Sequence, residues 1–155
     1  MRVCMLAYTF YENDNRVRRY AETLARRGDR VDVVALNSGD LSEYELVNGV
    51  HVYRIQNRVK DEQGKLTYLR KLLRFLVRSA CFLGGKQAAR HYDLIHVHSV
   101  PDFEVFATIF PKLCGTKIIL DIHDIVPEFY ASKFKTTNRA LFFQLLLLLE
   151  RLSAR

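Results

Sequence analysis

Residues Val3 to Leu36 read VCMLAYTFYENDNRVRRYAETLARRGDRVDVVAL, and this stretch decides the fold. The apolar runs Val3 to Tyr8 and Val31 to Leu36 predict two buried strands. Between them, Asn13 to Arg27 has apolar residues at helical spacing, and Gly28 provides the stop. A strand, a helix and a strand in this order form a βαβ unit, which requires a parallel sheet and a right-handed crossover. The apolar positions of this helix are Val17, Tyr20, Ala21, Leu24 and Ala25.

The rest of the chain continues the alternation of strands and helices. Asn48-Gly49 indicates a hairpin, followed by a strand from Val50 to Ile55 at the outer edge of the sheet. The expected fold is a single α/β domain, residues 1–155: a Rossmann-like doubly wound parallel sheet, three-layer α/β/α. Since no strand follows the apolar last helix, the sheet is expected to be incomplete at its C-terminal end. The later elements are predicted as a helix from Leu66 to Phe82, a break at Gly84-Gly85 with a short helical piece to His91, a strand from Asp93 to His98, a helix from Ser99 (its N-cap) to Leu113 with a kink at Pro111, a strand from Lys117 to Ile122 and a helix from Asn138 to Arg155.

The net charge of +7 is concentrated in one part of this 155-residue chain. Between Gln63 and His91 there are seven basic residues and no acid, while the remainder is close to neutral. A protein that binds nucleic acid through its overall charge would look different, so no nucleic-acid partner is expected. The seven residues are Lys65, Arg70, Lys71, Arg74, Arg78, Lys86 and Arg90.

The cysteines Cys4, Cys81 and Cys114 lie far apart without metal-ligand spacing, which predicts reduced and mostly packed thiols. The N-terminus is too soon interrupted for a signal peptide. The longest apolar run, Leu141 to Leu149, is far shorter than the ~20 residues that cross a bilayer. A cytoplasmic chain is therefore expected, with peripheral association at the inner face of the membrane as the alternative.

Three polar loops follow predicted strands and should reach the same edge of the sheet. They are YENDNR at 11–16, HSVPD at 98–102 and DIHDIVPE at 121–128. In open α/β sheets, ligands bind at the carboxyl ends of the strands, where helix N-termini and loop amides converge. The sequence therefore predicts a binding cleft at this edge. Because the first loop lacks glycine, its backbone cannot approach a pyrophosphate closely, and no dinucleotide cofactor is expected.

Arg16 lies in the first turn of the first predicted helix. A cation there opposes the helix dipole unless an anion or an acid compensates it, which favours a functional role. The alternative for the neighbouring residues Asn13, Asp14 and Asn15 is that one of them simply caps the helix.

His123 is the strongest candidate in the third loop, because a neutral imidazole can donate to or accept from a hydroxyl-rich ligand. Asp124 can orient that ring or hold a hydroxyl of the substrate itself. Glu128 is a further candidate for substrate binding. The alternative is structural, with Asp124 capping the turn before Pro127 and Glu128 balancing the dipole of that turn.

His96 and His98 alternate on one strand and so share a face, which makes a metal site with His123 and Asp124 geometrically conceivable. No further ligand stands at a diagnostic spacing, and a histidine in a buried strand is more often a hydrogen-bonded core residue. No metal site is therefore predicted. His98, at the end of the strand, is expected to face the cleft.

The helix from Leu66 carries Arg70, Arg74 and Arg78 at a spacing of four residues, with Lys71 beside them. A basic amphipathic helix indicates a membrane-surface patch or a site for an anionic ligand. The alternative is a core-facing helix with a solvated cationic side. The predicted apolar stripe of this helix consists of Leu69, Leu72, Leu73, Leu76, Val77 and Ala80.

Taken together, these features resemble the N-terminal domain of a family 4 glycosyltransferase of GT-B architecture. The resemblance implies a two-domain enzyme of the hexosyltransferase type. Such an enzyme transfers a sugar from a nucleotide donor to a carbohydrate or lipid-linked acceptor, as in polysaccharide biosynthesis. The transfer retains the anomeric configuration and needs no metal. The N-terminal domain would hold the acceptor, and the C-terminal domain would bind the nucleotide sugar, so no tightly bound cofactor is expected. The matching segments are DNRVRRYAETLARRGDRVDVVAL, NGVHVYRI, YDLIHVHSVPDFEVF, KIILDIHDIVPEFY and LLERLSAR.

The resemblance also implies roles for individual residues. His123 corresponds to the catalytic histidine that reaches across the cleft to the donor sugar. Asn15 and Arg16 lie in the loop that lines the acceptor and phosphate region, and His98 and Asp102 occupy the neighbouring loop.

Two departures from the family limit what this chain is expected to do. Many relatives carry a Gly-Gly pair in the first loop, where this chain reads ENDNR, so cradling of a phosphate by loop amides is not expected. The second domain and its acidic pair are absent from the chain, which is expected to be inactive alone and to need that domain or a partner chain. The alternative is a non-catalytic truncated module that acts as a sugar- or lipid-binding or assembly subunit.

Overall fold

The computed structural model describes residues 1–58, 65–98 and 102–121, the side chains of 65, 66 and 102 excepted. The predicted helix from Asn138 to Arg155 lies outside these residues. The elements in chain order are β1 (Arg2–Phe10), α1 (Asn15–Arg26), β2 (Arg30–Asn37), β3 (Tyr44–Val47), β4 (Val50–Asn57), α2 (Lys65–Ala89), β5 (Leu94–His98), a 3-10 helix (Asp102–Thr108), α3 (Ile109–Leu113) and β6 (Lys117–Asp121).

The described residues form one six-stranded sheet in the order β3-β4-β2-β1-β5-β6. Neighbouring strands are parallel except for β3 and β4, which are antiparallel. One face packs against α1 through Val17 and Ala21, and the other packs against α2 through Phe75 and Leu83. The predicted Rossmann-like, doubly wound α/β/α fold is confirmed, and it gathers the carboxyl ends of five parallel strands at one edge.

The Asn-Gly hairpin forms as predicted, but it changes which strand lies at the edge. Asn48 and Gly49 adopt φ of 50° and 82°, the left-handed conformation that a tight two-residue turn requires. The turn adds β3 outside β4, so the prediction that the strand from Val50 is the outermost one is wrong. The short strand β3 takes the edge position instead.

The predicted break at Gly84-Gly85 is wrong, because α2 runs unbroken from Lys65 to Ala89. A glycine inside a helix costs about 1 kcal/mol relative to alanine. Packing outweighs this cost, since Leu83 is fully buried and Gln87, one turn further on, donates a hydrogen bond to Thr116 Oγ1 at 3.0 Å. Tertiary contacts therefore hold the helix together through its weakest local sequence.

The crossover from β5 to β6 also differs from the prediction of one kinked α-helix. It is a 3-10 helix from Asp102 to Thr108 followed by the short helix α3. Pro111 is the third residue of α3, in the first turn, where the missing N–H has no intrahelical partner to lose. Gly115 ends α3 with φ of 90°, as expected, and the predicted N-cap Ser99 lies outside the described residues.

The amino-terminal end of the sheet is closed by a buried polar cluster. Asp32 is fully buried, and its Oδ2 accepts a hydrogen bond from the Tyr92 hydroxyl at 2.7 Å. Arg2 Nη2 lies 3.8 Å from the same oxygen, and the Arg2 guanidinium stacks 4.9 Å from the centre of the Tyr92 ring. Burial raises the pKa of the Tyr92 hydroxyl, which keeps it a hydrogen-bond donor. This end of the sheet is thus held by contacts within the fold, although Asp32 Oδ1 accepts no hydrogen bond from the described residues.

Candidate functional site

The first loop is organised by Asp14 rather than by its neighbours. Asp14 Oδ1 accepts hydrogen bonds from the backbone N–H groups of Arg16 and Val17, both at 3.1 Å, so Asp14 is the N-cap of α1. Tyr11 is buried in the core, and burial raises the pKa of its hydroxyl to about 12. The capping alternative therefore holds for Asp14, while Asn15 and Arg16 lie beyond the cap.

Arg54 of β4 holds the same loop from the other side. Its guanidinium is buried; Nε donates to Glu12 Oε1 at 2.9 Å, Nη2 contacts the same oxygen, and Nη2 also donates to Glu45 Oε2 at 2.9 Å. Burial alone would lower the pKa of Arg54, but the hydrogen bonds with the two carboxylates outweigh it and the pKa is raised. Glu12 is thereby committed to a structural role in fixing the loop.

A groove of about 710 Å³ runs along α1 on its side toward β5. Arg16 is exposed, and in the described part of the chain its guanidinium forms neither a hydrogen bond nor an ion pair. Cationic side chains over a groove favour an anionic or hydroxyl-rich ligand. The described residues that line the groove are Met5, Asn15, Arg16, Arg19, Tyr20, Thr23, Leu24 and His96.

The prediction that Tyr20 packs in the core is wrong, because 47% of its surface is exposed. Its ring lies instead beside two histidine rings, with centroid distances of 5.8 Å to His96 and 6.0 Å to His98. Arg19 and Tyr20 were not predicted as site residues. They follow Arg16 by three and four positions, which is the spacing of neighbours on one helical face.

The two histidines meet Asp121 at the carboxyl end of β5 and β6. Asp121 Oδ2 lies 3.7 Å from His96 Nε2 and 3.7 Å from His98 Nδ1, and the histidine rings are 4.0 Å apart. The parallel register places Asp121 directly beside His98, and each is the last residue of its strand. His98 therefore lies at the predicted edge, as expected, together with an acid that the sequence did not single out as a ligand.

Glu104 of the 3-10 helix is a second titratable group that sequence reasoning missed. It is 1% exposed, and neither carboxyl oxygen has a hydrogen-bond partner among the residues that the structure describes. Burial raises the pKa of this carboxyl to about 8. The group therefore keeps its proton at neutral pH, close in sequence to the predicted HSVPD loop.

The remaining candidates fall outside what the structure describes. His123, Asp124 and Glu128 lie beyond residue 121, and the side chain of Asp102 is likewise not described. Of the predicted site residues, the structure brings Asn15 and Arg16 to the groove and places His98 at the same end of the sheet. The described groove thus takes residues from the first predicted loop, while His98 lies beside it, with its ring 4.0 Å from that of His96.

The outer face of α2, which we define as Arg70, Leu73, Arg74, Val77 and Arg78, joins cations and apolar side chains. Leu73 and Val77 are 47% and 60% exposed, and Ala80 is exposed as well, so the predicted apolar stripe is wrong at these three positions. The inward face consists instead of Leu72, Phe75, Ser79, Leu83 and Gln87. Lys71, which the sequence grouped with the cations, is half-buried.

Two further predictions can be compared with the described residues. Cys4 is buried, but Cys81 and Cys114 are exposed, so the expectation of mostly packed thiols is wrong. Within the described residues, no helix combines the length and the apolar character needed to cross a bilayer.

Comparison with known proteins shows which family the chain matches. The model of the glycosyl transferase 4-like domain matches residues 14–155. An uncharacterised glycosyltransferase of Methanocaldococcus jannaschii is 33% identical over 103 residues, which cover 66% of this chain and 24% of that protein. The chain thus corresponds to about a quarter of the length of this relative.

Two solved structures share the fold. Sucrose-phosphate synthase of Thermosynechococcus elongatus superposes with a TM-score of 0.69 at 14% identity, over 99% of this chain and 40% of that chain. CalG4, the calicheamicin glycosyltransferase, superposes with a TM-score of 0.52 at 12% identity, over 95% and 41% of the two chains. At these identities the likeness concerns the fold alone, which is that of a GT-B half.

Proposed function

The chain belongs to the glycosyl transferase 4-like family, and on that premise we propose that it is the acceptor-side half of a retaining glycosyltransferase. The reaction transfers a hexose from a nucleotide sugar to a hydroxyl of a carbohydrate or lipid-linked acceptor. The observation that carries the proposal is the meeting of Asn15 and Arg16 with His96 around one groove, beside the pair of His98 and Asp121.

The chemistry of these side chains suits an acceptor. The guanidinium of Arg16, which has no partner in the described part of the chain, can bind a phosphate of a lipid-linked acceptor through charge-assisted hydrogen bonds. The His98 imidazole, close to a carboxylate, can donate to or accept from a sugar hydroxyl. From the sequence, His123 is the proposed catalytic residue, and Asp102, Asp124 and Glu128 are proposed to bind the acceptor.

The donor is bound mainly by a second domain, on the same protein or on a partner chain. Closure of the two domains brings the acceptor oxygen to the anomeric carbon. A glycosidic bond forms between them as the bond from that carbon to the nucleoside diphosphate breaks, and the acceptor hydroxyl gives up its proton as the nucleoside diphosphate leaves. Such alignment lowers the barrier by up to ~7–11 kcal/mol in well-oriented systems. One half cannot supply it, so the 155-residue chain alone is proposed to be inactive.

Acceptor binding is tested by NMR on the 18.1 kDa chain. A short-chain polyprenyl phosphate and a panel of monosaccharides are titrated in parallel with UDP-glucose. The expected result is saturable shift changes around Asn15, Arg16 and His98 with an acceptor probe, and none with UDP-glucose. His98→Gln should weaken the shifts, while His91→Gln, on the opposite end of β5, should not. Saturable binding of UDP-glucose alone in the groove contradicts the acceptor role.

Catalysis is tested by supplying a donor-binding domain as a separate polypeptide together with nucleotide sugars and the acceptor that binds. Transfer with retained anomeric configuration, lost in His123→Ala, is the expected result. If the acceptor still binds but no transfer occurs with any donor domain, the chain is a non-catalytic binding or assembly module. The two experiments thus separate the enzyme from its alternative.

We also propose that the outer face of α2 rests on an anionic membrane surface in a cytoplasmic setting. Arg70 and Arg74 are exposed beside Leu73 and Val77, so cations and apolar side chains can reach the same lipid surface. No acid occurs between Gln63 and His91 to oppose the attraction. A Lys or Arg near an anionic surface contributes ~1 kcal/mol.

Vesicle sedimentation measures this association with phosphatidylserine-containing and purely phosphatidylcholine vesicles. Replacing Arg70 and Arg74 by serine should reduce binding to anionic vesicles ~10-fold or more, at ~1 kcal/mol for each cation. Replacing Arg26 and Lys112, two exposed cations elsewhere, is the charge-matched control and should change it little. Equal binding to both vesicle types would remove the membrane proposal and leave the acceptor proposal untouched.

A further inference from the structure

The His96, His98 and Asp121 side chains converge from two strands that are separated in sequence. His96 and His98 lie two residues apart on β5 and so project from the same face. Asp121 reaches them from the neighbouring strand, because the register pairs it with His98. The Tyr20 ring packs close to both imidazoles and limits their freedom to rotate.

The distances in this cluster suit a small cation. One ligand atom from each of the three residues lies within 4.8 Å of the others. Asp121 Oδ2 is 3.7 Å from one nitrogen of each histidine. Two ligands of a tetrahedral zinc ion, each bonded at ~2.0–2.1 Å, are ~3.4 Å apart. Side-chain rotations that move the ligand atoms by a few tenths of an ångström to about 1 Å would therefore complete the coordination geometry of zinc.

We propose that His96, His98 and Asp121 form a binding site for a divalent transition-metal ion, with Zn²⁺ as the best match. Imidazole nitrogen and carboxylate oxygen are the ligand types that zinc takes, whereas Mg²⁺ and Ca²⁺ take oxygen ligands almost alone. Three ligands from the described residues leave a fourth position, as in zinc sites that bind water or substrate. Since His96 also lines the groove beside α1, that position opens toward the groove and can take a hydroxyl or a phosphate oxygen.

This site goes beyond the proposed glycosyl transfer, which does not require it. The sequence predicted no metal site because no third ligand stood at a diagnostic spacing from the histidines. The third ligand instead comes through the register of β5 and β6, 23 positions beyond His98. No sequence motif for metal binding has such a spacing, so this ligand is found only from the pairing of the strands.

The test titrates the whole chain with ZnCl₂ by calorimetry and with CoCl₂ by absorption spectroscopy. Cys81→Ser and Cys114→Ser are introduced first, because these exposed thiols could bind metal on their own. One equivalent of Zn²⁺ should bind, MgCl₂ should not compete, and Co²⁺ should give four-coordinate bands without thiolate charge transfer. In NMR spectra of the same chain, Co²⁺ should shift and broaden signals around the ends of β5 and β6.

Single ligand replacements then locate the site. Asp121→Asn and His98→Gln should each weaken Zn²⁺ binding at least ~100-fold, the upper range seen even for supporting residues of metal sites. His51→Gln is the matched control, since His51 lies on β4 and bonds Tyr44 instead, and it should change the affinity less than twofold. Zinc binding that is absent below millimolar concentration, or unchanged in Asp121→Asn, overturns the proposal. In the chain that keeps all its histidines, Co²⁺-induced shifts and broadening centred on residues away from the ends of β5 and β6 also overturn the proposal. This result does not depend on how the variants fold.

Discussion

The two ends of the parallel sheet hold their charged groups in different ways. At the amino end, Asp32 is buried, its Oδ2 accepts a hydrogen bond from Tyr92 and Arg2 lies nearby, so this carboxylate has partners inside the fold, although its Oδ1 accepts no hydrogen bond from the described residues. At the carboxyl end, Arg16 lies in the first turn of α1 without an ion partner among the described residues, and Glu104 is a buried carboxyl without a hydrogen bond. The first arrangement stabilises the chain. The second costs stability, as expected where side chains are kept for a ligand.

The amino end offers the largest expected effect. Asp32→Ala leaves the Tyr92 hydroxyl buried without its acceptor and removes the carboxylate that faces Arg2. The free energy of unfolding should fall by about 3 kcal/mol, since loss of one partner strands a buried polar group. Urea denaturation measures this, with Asp40→Ala on an exposed loop as the control that should change stability by less than ~0.5 kcal/mol. A loss for Asp32→Ala no larger than that of the control would erase the distinction between the two ends.

Sequence reasoning recovers the sheet because its strands are continuous apolar runs. Val31 to Leu36 needs no partner information to be recognised as buried. It fails on α2, because the periodicity of apolar residues does not show which side of the helix the rest of the fold covers. Ser79 and Gln87 are buried while Leu73 and Val77 are exposed, because the crossover to β6 and the segment just before β5 cover the side of the helix that carries Gln87.

The candidate site shows the same limit. Arg16 could be predicted from one local rule, the conflict between a cation and the helix dipole. The contact between His98 and Asp121 depends on the register of two strands, and no local pattern encodes it. Glu104 looks like an ordinary helical acid in the sequence, and only its burial reveals the raised pKa. The roles of His123, Asp124 and Glu128 stay predictions.

The carboxyl end yields an intermediate effect that depends on pH. The pKa of Glu104 is about 8 in the folded chain, against ~4.3 for an unfolded glutamate. Between these values the folded chain retains a proton that the unfolded chain has released, so the free energy of unfolding falls as pH rises. One such proton contributes a slope of up to ~1.4 kcal/mol per pH unit.

Glu104→Gln keeps the shape of the side chain and removes the titration. At about pH 5 the variant and the wild type should be close in stability, and by about pH 7 the variant should be more stable by roughly 2–3 kcal/mol. Urea denaturation at several pH values measures the difference, and Asp40→Asn should show no such trend. A difference that stays constant from pH 5 to pH 8 would mean that the buried carboxyl does not titrate in this way, and the contrast between the ends would lose one of its two supports.

The smallest effect on stability belongs to Arg16, and its sign is the informative part. Arg16→Ala removes a cation from the N-terminal turn of α1, so the free energy of unfolding should rise by ~0.3–1 kcal/mol. Arg26→Ala, in the last turn of the same helix, removes a cation that favours the dipole and should lower it by a similar amount. Affinity for the short-chain polyprenyl phosphate, followed by NMR, should fall ~10-fold in Arg16→Ala alone, as expected for one charge-assisted hydrogen bond of ~1.5 kcal/mol. A residue kept for a ligand is thus one whose loss stabilises the fold while weakening binding; if Arg16→Ala instead destabilises the chain and leaves binding of the polyprenyl phosphate unchanged, Arg16 belongs with Asp32 as a structural residue.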